Sequence, residues 1–196
     1  MSLQLDFIRH GEPEGGRGYR GHGVDDPLSE KGWTQMRTAV EGVEGWTHLV
    51  TSPLQRCHAF ADEMSVQRSL PIDIEDRFKE VGFGRWEGKS PDEVIALWPD
   101  EYQAFYQDPE HCRPKGAESL EAFYRRVSVA MEEVADRLDD ESVLVIAHAG
   151  VIRAAIAHAA GALASTMYRY KIPYAGFTRL RFDGKAWSIE FINGEP

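Results

Sequence analysis

The chain has 196 residues, 42% of them hydrophobic and 28% charged, which fits one globular domain with a sizeable core and speaks against disorder or a repeat array. A net charge of −10 argues against a nucleic-acid partner or an anionic membrane surface, so any binding of phosphate has to be local. Cys57 and Cys112 have no metal-type spacing, no disulfide framework is needed at this size, and no apolar run approaches a membrane span of ~20 residues. The expectation is a soluble, cytoplasmic protein without a signal peptide.

Taken in chain order, Leu3, Leu5 and Phe7 alternate with Gln4 and Asp6, which predicts a first strand that runs through Ile8 into Arg9-His10-Gly11. Reactive residues at a strand's carboxyl end sit where open α/β sheets bind ligands. The following stretch sets Arg17, Tyr19, Arg20 and His22 among glycines, an irregular loop able to close over an anion. Ser29 is an N-cap signal before a helix with apolar Trp33, Met36, Val40 and Val43. A short strand over Thr47–Thr51 leads to Ser52-Pro53, which predicts a helix with proline near its first turn and Arg56 just inside it. Leu70 to Ile74 is weaker strand material, placed near a sheet edge by Pro71.

Residues 90 to 126 read as a helical cap inserted in a single domain that spans 1–196. Ser90-Pro91-Asp92-Glu93 starts one helix that ends before Pro99, and a second covers Glu101 to Gln107. Glu118-Ser119-Leu120 then opens a long helix to about Leu138, with Phe123, Val127, Ala130, Met131 and Val134 facing inward. Val143 to Ala147 is the continuous apolar run of a buried parallel strand, and it enters His148-Ala149-Gly150. An alanine-rich helix over Ile152 to Ala162 follows. Gly176 to Phe182 and Ala186 to Ile192 form a hairpin around Asp183-Gly184.

Two strands that each end on a histidine suggest one site. Gly11 and Gly150 allow the backbone to come close to a ligand after each histidine. A neutral imidazole as nucleophile, with arginines to offset phosphoryl charge, suits phosphoryl transfer, and nearby arginines disfavour the imidazolium form of His10.

The chain resembles the histidine phosphatase superfamily, also called phosphoglycerate mutase-like. The resemblance is carried by Arg9-His10-Gly11 after the first strand, Arg20-Gly21 with Asp26 to Gly32, Ser52-Pro53-Leu54-Gln55-Arg56, Glu80 to Gly88, and Ala147 to Arg153. Phe83-Gly84-Arg85-Trp86-Glu87-Gly88 and Glu118-Ser119-Leu120, followed by Phe123 and Arg126-Val127, look most like its α-ribazole phosphatase group. Gly16 replaces the usual asparagine, for which Arg20 could substitute, and Phe60 replaces a threonine of the arginine block.

The resemblance implies a three-layer α/β/α sandwich with a mostly parallel sheet of about six strands and a small helical cap. It also implies phosphomonoester hydrolysis through a phosphohistidine, with neither metal nor other cofactor, the partner being a small-molecule phosphomonoester. His10 is the expected nucleophile. Arg9, Arg56, His148, the backbone at Ala149, and Arg20 are expected to hold the phosphoryl oxygens. Glu80, partly desolvated by Val81, Phe83 and Trp86, is expected as proton donor, with Glu87 as rival. Glu118 and Ser119 would border the pocket. The alternatives are a phosphoglycerate mutase, a sugar (bis)phosphate phosphatase and, more remotely, a non-catalytic phosphate-binding module.

One expectation about substrate rests on composition. Between Ile95 and Glu110 the cap holds Trp98, Tyr102, Phe105 and Tyr106 with Asp100, Glu101, Asp108 and Glu110, and no lysine or arginine. An acidic cap would repel a second anionic group and favour one phosphate with a neutral, ring-bearing remainder, such as α-ribazole 5′-phosphate. Neither oligomeric state nor pathway is readable.

Overall fold

The computed structural model describes residues 2–196. Six strands, β1 (Leu3–Arg9), β2 (His48–Thr51), β3 (Ile72–Ile74), β4 (Ser142–Ala147), β5 (Phe177–Phe182) and β6 (Trp187–Gly194), form one sheet in the order β3-β2-β4-β1-β5-β6. β1 to β4 pair in parallel, and β5 runs antiparallel to both neighbours. β3 is the edge expected from Pro71.

The continuous apolar run of β4 reflects cover on both faces. Val143, Val145 and Ala147 share one core with α5 (Leu120–Arg137) and α6 (Ala149–Ala159), whereas Leu144 and Ile146 share the other with α1 (Glu30–Ala39) and α2 (Gln55–Arg68). That is the three-layer sandwich. Ser29 caps α1 by accepting from Gly32 N, and Ser119 caps α5 by accepting from Ala122 N. Phe123, Val127, Met131 and Val134 of α5 are fully buried, each stabilising the fold by about 1.5–3 kcal/mol.

The alternation in β1 means something other than a solvated face. Asp6 is buried; it accepts from Arg179 Nε at 2.6 Å and Nη2 at 2.9 Å and from Trp46 Nε1 at 2.8 Å. The polar side of the strand is a buried ion pair that ties β1 to β5.

Three helix starts differ from the sequence pattern, the helix expected from Glu101 beginning at Pro99. α2 begins at Gln55, and Ser52 and Pro53 form the turn before it, where Ser52 Oγ accepts from Leu54 N. α6 begins at Ala149 with His148 as its extended N-cap; Gly150, a poor helix former, hides that start.

Between β3 and α5 the chain makes a helical excursion through α3 (Pro91–Leu97) and α4 (Pro99–Gln107). Ser90 and Glu93 close a capping box at the start of α3. The excursion has its own core of Tyr19, Trp86, Val94 and Phe105, whereas Leu120 and Phe123 already belong to the main core.

Candidate active site

Strand register assembles the site. Arg9 of β1 pairs with Ala147 of β4, so the next residue of each strand, His10 and His148, emerges side by side. Their rings lie 5.1 Å apart at 64°. Thr51 of β2 pairs with Ile146, which ends a third strand at the same level and puts Arg56, at the start of α2, beside the histidines.

The His10 ring has a defined proton arrangement. Its Nδ1 lies 2.7 Å from the Gly11 carbonyl oxygen, which can only accept, so Nδ1 carries the proton and Nε2 keeps its lone pair. Burial, then the charges of Arg56 and Arg9, hold His10 well below the usual 6.5. His148 is lowered for the same leading reason, burial, followed by Arg56 and His10. His148 is fully buried, with Nε2 2.7 Å from Ser52 Oγ and 3.6 Å from Cys57 Sγ. Burial pushes the Cys57 thiol up, so it is a neutral wall beside that ring.

The arginines are anchored on backbone. Arg56 donates to the carbonyls of Val24 and Gly21 at 2.9 and 2.8 Å, and Arg9 donates to Ile172 O at 2.7 Å with its guanidinium 4.0 Å from the Tyr174 ring centre. Each keeps a buried Nε–H without a protein partner. A phosphoryl oxygen is the kind of acceptor such groups fit.

Glu80 is seated on the start of α6. Its carboxylate accepts from Val81 N at 2.9 Å and Gly150 N at 3.1 Å, and a Cβ on Gly150 would come within 2.1 Å of it. Gly11 likewise has no room, since a Cβ there would lie 2.2 Å from Gly32 O. Both glycines permit close approach, as expected, but to protein groups rather than to a ligand.

A cleft of about 240 Å³ opens over His10, lined by Arg9, Arg20, Arg56, Glu80 and Ala149 of the expected set. His148 does not line it; the ring lies under Ser52 and Cys57, and only Ala149 beyond it reaches the opening. Arg20 lines the cleft while its Nε holds Asp26 at 2.7 Å. Glu118 and Ser119 are corrections. Glu118 is drawn away by Arg126 at 2.8 Å and by Gly82 N, and Ser119 is spent on its helix cap. Glu87 accepts from Phe83 N at 2.8 Å beneath the Gly21–Gly23 turn and leaves Glu80 as the carboxylate of the cleft. Among the described residues, no group of three or more His, Cys, Asp or Glu side chains is arranged to hold a metal. Nor is any helix long and apolar enough to cross a membrane.

Residues 5–195 match the family model of the histidine phosphatase superfamily, branch 1. The chain belongs to the histidine phosphatase superfamily. This histidine phosphatase is 32% identical over 155 residues to phosphoserine phosphatase 1 of Hydrogenobacter thermophilus, covering 78% of this chain and 74% of that one. It is 26% identical over 196 residues to the adenosylcobalamin/alpha-ribazole phosphatase of Escherichia coli, covering 97% and 96%. The solved alpha-ribazole phosphatase of Shigella flexneri superposes with a TM-score of 0.84 at 26% identity, over 100% of this chain and 97% of that one. The family and the names of these relatives make the protein a phosphatase.

Sequence reasoning about this phosphatase gave four residues of the site no individual role. Tyr174 stacks on Arg9 and lies 5.9 Å from His10, from a loop whose one signal was an aromatic next to Pro173. Ser52 was read as a helix opener. Arg17 and Arg153 line the cleft, the first from the glycine loop and the second one turn into α6. The acidic cap residues, by contrast, do not line it. Glu101 is held by Arg85 and Trp86, and Asp108 by His111. The cap contributes Pro91 and Tyr106 to the lining.

Proposed function

We propose that the protein hydrolyses phosphomonoesters through a phosphohistidine on His10, without a metal. The observation that carries this reading is the His10 ring itself: unprotonated at Nε2, neutral by burial, and set between buried Arg56 and half-buried Arg9, each with a buried, unpartnered Nε–H. In the first step Nε2 attacks phosphorus, the P–O bond to the leaving alcohol breaks, and Glu80 gives that oxygen a proton. In the second, water attacks the phosphohistidine, Glu80 takes its proton, and phosphate leaves with His10 restored. Arg9 and Arg56, with Arg20 and the backbone at Ala149, offset charge on the phosphoryl oxygens, and the neutral His148 ring packs beside His10 beneath them. The helical excursion through α3 and α4 acts as a cap over the leaving group.

A competing reading of the substrate is α-ribazole 5′-phosphate, favoured by Tyr106, an exposed aromatic at the rim on which a base can stack. The test is turnover of a panel of phosphomonoesters in EDTA, with trapping of the phosphoenzyme in base and mapping of the phosphate by mass spectrometry. Wild type is expected to turn over and carry phosphate on His10, and His10→Ala to lose both. Comparable turnover in that variant, or a strict magnesium requirement, overturns the mechanism.

A further inference from the structure

The cleft holds more positive charge than one phosphate requires. Arg9, Arg17, Arg20, Arg56 and Arg153 all line it, with Glu80 as its one carboxylate. Arg9 and Arg56 flank the histidines and serve the reacting phosphate, and Arg20 is half neutralised by Asp26. Arg17 and Arg153 lie outside that set. Arg17 is exposed and makes no hydrogen bond or ion pair with any described residue. Its charge acts on the phenols of Tyr19 and Tyr102, which places it toward the cap. Arg153 spends Nε on Tyr170 O at 2.8 Å and rests 5.5 Å from the Tyr168 ring centre; its two Nη groups have no partner among the described residues. Its charge acts on Arg9, which places it toward the sheet.

An unpaired arginine at a cleft mouth is often only a solvated side chain. Here the surrounding charge makes it informative. The chain carries −10, so its long-range field repels a multiply charged substrate, and five arginines in one small cleft reverse that field locally. A phosphate dianion alone is matched by Arg9, Arg56 and Arg20. At about 240 Å³ the cleft is below the usual range of roughly 300–1,000 Å³ for drug-sized ligands, so the part of the leaving group that it encloses is small.

We infer that Arg17 is a specificity-determining residue: it binds a second anionic group on the leaving alcohol, a carboxylate in a substrate that is a small phosphorylated acid, with Arg153 reaching the same group from the opposite wall. This rests on the phosphatase reading above. A planar guanidinium matches a carboxylate with two parallel hydrogen bonds, and a second phosphate is the other anion that could make them.

The experiment measures kcat and KM for wild type, Arg17→Ala, Arg17→Glu and Arg17→Lys on three groups of esters. These are O-phosphoserine and 3-phosphoglycerate, then fructose 2,6-bisphosphate, then glycerol 1-phosphate and α-ribazole 5′-phosphate. Wild type is expected to favour the first group in kcat/KM. Arg17→Ala raises KM for that group roughly 10-fold with kcat little altered, since an interaction made equally in ground and transition states acts on KM. Arg17→Glu raises it further, Arg17→Lys restores part, and the loss on the third group is several-fold smaller. Equal losses on the first and third groups, or a wild type that prefers the third, overturn the inference while leaving the phosphatase reading intact. A loss confined to the bisphosphate overturns the carboxylate. Absence of hydrolysis of every ester overturns the phosphatase reading and this inference with it.

Discussion

His10 and Arg56 on the floor of the cleft and His148 beneath it are 5%, 1% and 0% exposed, and each is bonded to protein; on its walls Tyr106 is 54% exposed and Arg17 is unpaired among the described residues. The floor is set by strand register and desolvated, so its imidazoles are neutral and its geometry does not depend on which ester enters. The walls come from a glycine-rich loop and a short helix, elements that change conformation at little cost. Chemistry therefore belongs to the floor and selection to the walls, and substitutions should separate along that line, floor residues in kcat and wall residues in KM.

The largest test of that separation is Glu80→Gln, which sits where floor and wall meet. It is expected to lower kcat on esters of poorly acidic alcohols by roughly 10²-fold or more, the usual range for a general acid, and much less on p-nitrophenyl phosphate, whose leaving group needs little protonation. Equal losses on both esters would remove Glu80 from the proton transfer.

A second test uses the buried imidazoles. Both are depressed below 6.5 in the folded state. Above pH 6.5 neither state binds the proton, so stability there is independent of these groups. Below it the unfolded chain takes up two protons that the folded chain refuses, and stability falls as pH drops. The slope approaches about 2.7 kcal/mol per pH unit, two protons at about 1.36 each. Urea unfolding between pH 7.5 and 5.5 measures it. A His10→Gln, His148→Gln double variant should lose that steepening; an unchanged pH dependence would mean that the floor is hydrated.

The smallest expected effect is on the wall. Tyr106→Phe breaks the 2.8 Å hydrogen bond between the Tyr106 and Tyr19 hydroxyls that ties cap to loop. The bond is partly exposed, so thermal unfolding should show a loss of about 1 kcal/mol or less, with kcat on p-nitrophenyl phosphate within about two-fold of wild type. A kcat loss as large as that of Glu80→Gln would break the distinction between floor and wall.

Much of the floor was legible because its signals are local. Period-2 alternation, a β-branched run and a histidine after each strand need only contiguous residues, and Ser29, Ser90 and Asp183-Gly184 announce caps and a turn in the same way. The walls were misread for the opposite reason. Between Ile95 and Glu110 the composition is acidic, but whether that charge faces a substrate depends on Arg85 and Trp86 reaching Glu101 from another segment. Glu118 looked like a pocket residue until Arg126, two turns into the helix that follows it, claimed it.

The sequence by itself determined the run of strands and helices along the chain and the two histidines at strand ends, since hydrophobic period and turn chemistry are properties of neighbours in the chain; the layered sheet came from the family resemblance. Tertiary structure alone decided that His148 lies under Ser52, that Glu80 rests on the N–H of Gly150 seventy residues away, and that Arg17 and Arg153 line one cleft. Each of those placements is settled by which distant partner satisfies a buried polar group or leaves it unpaired, and no spacing along the chain encodes that choice.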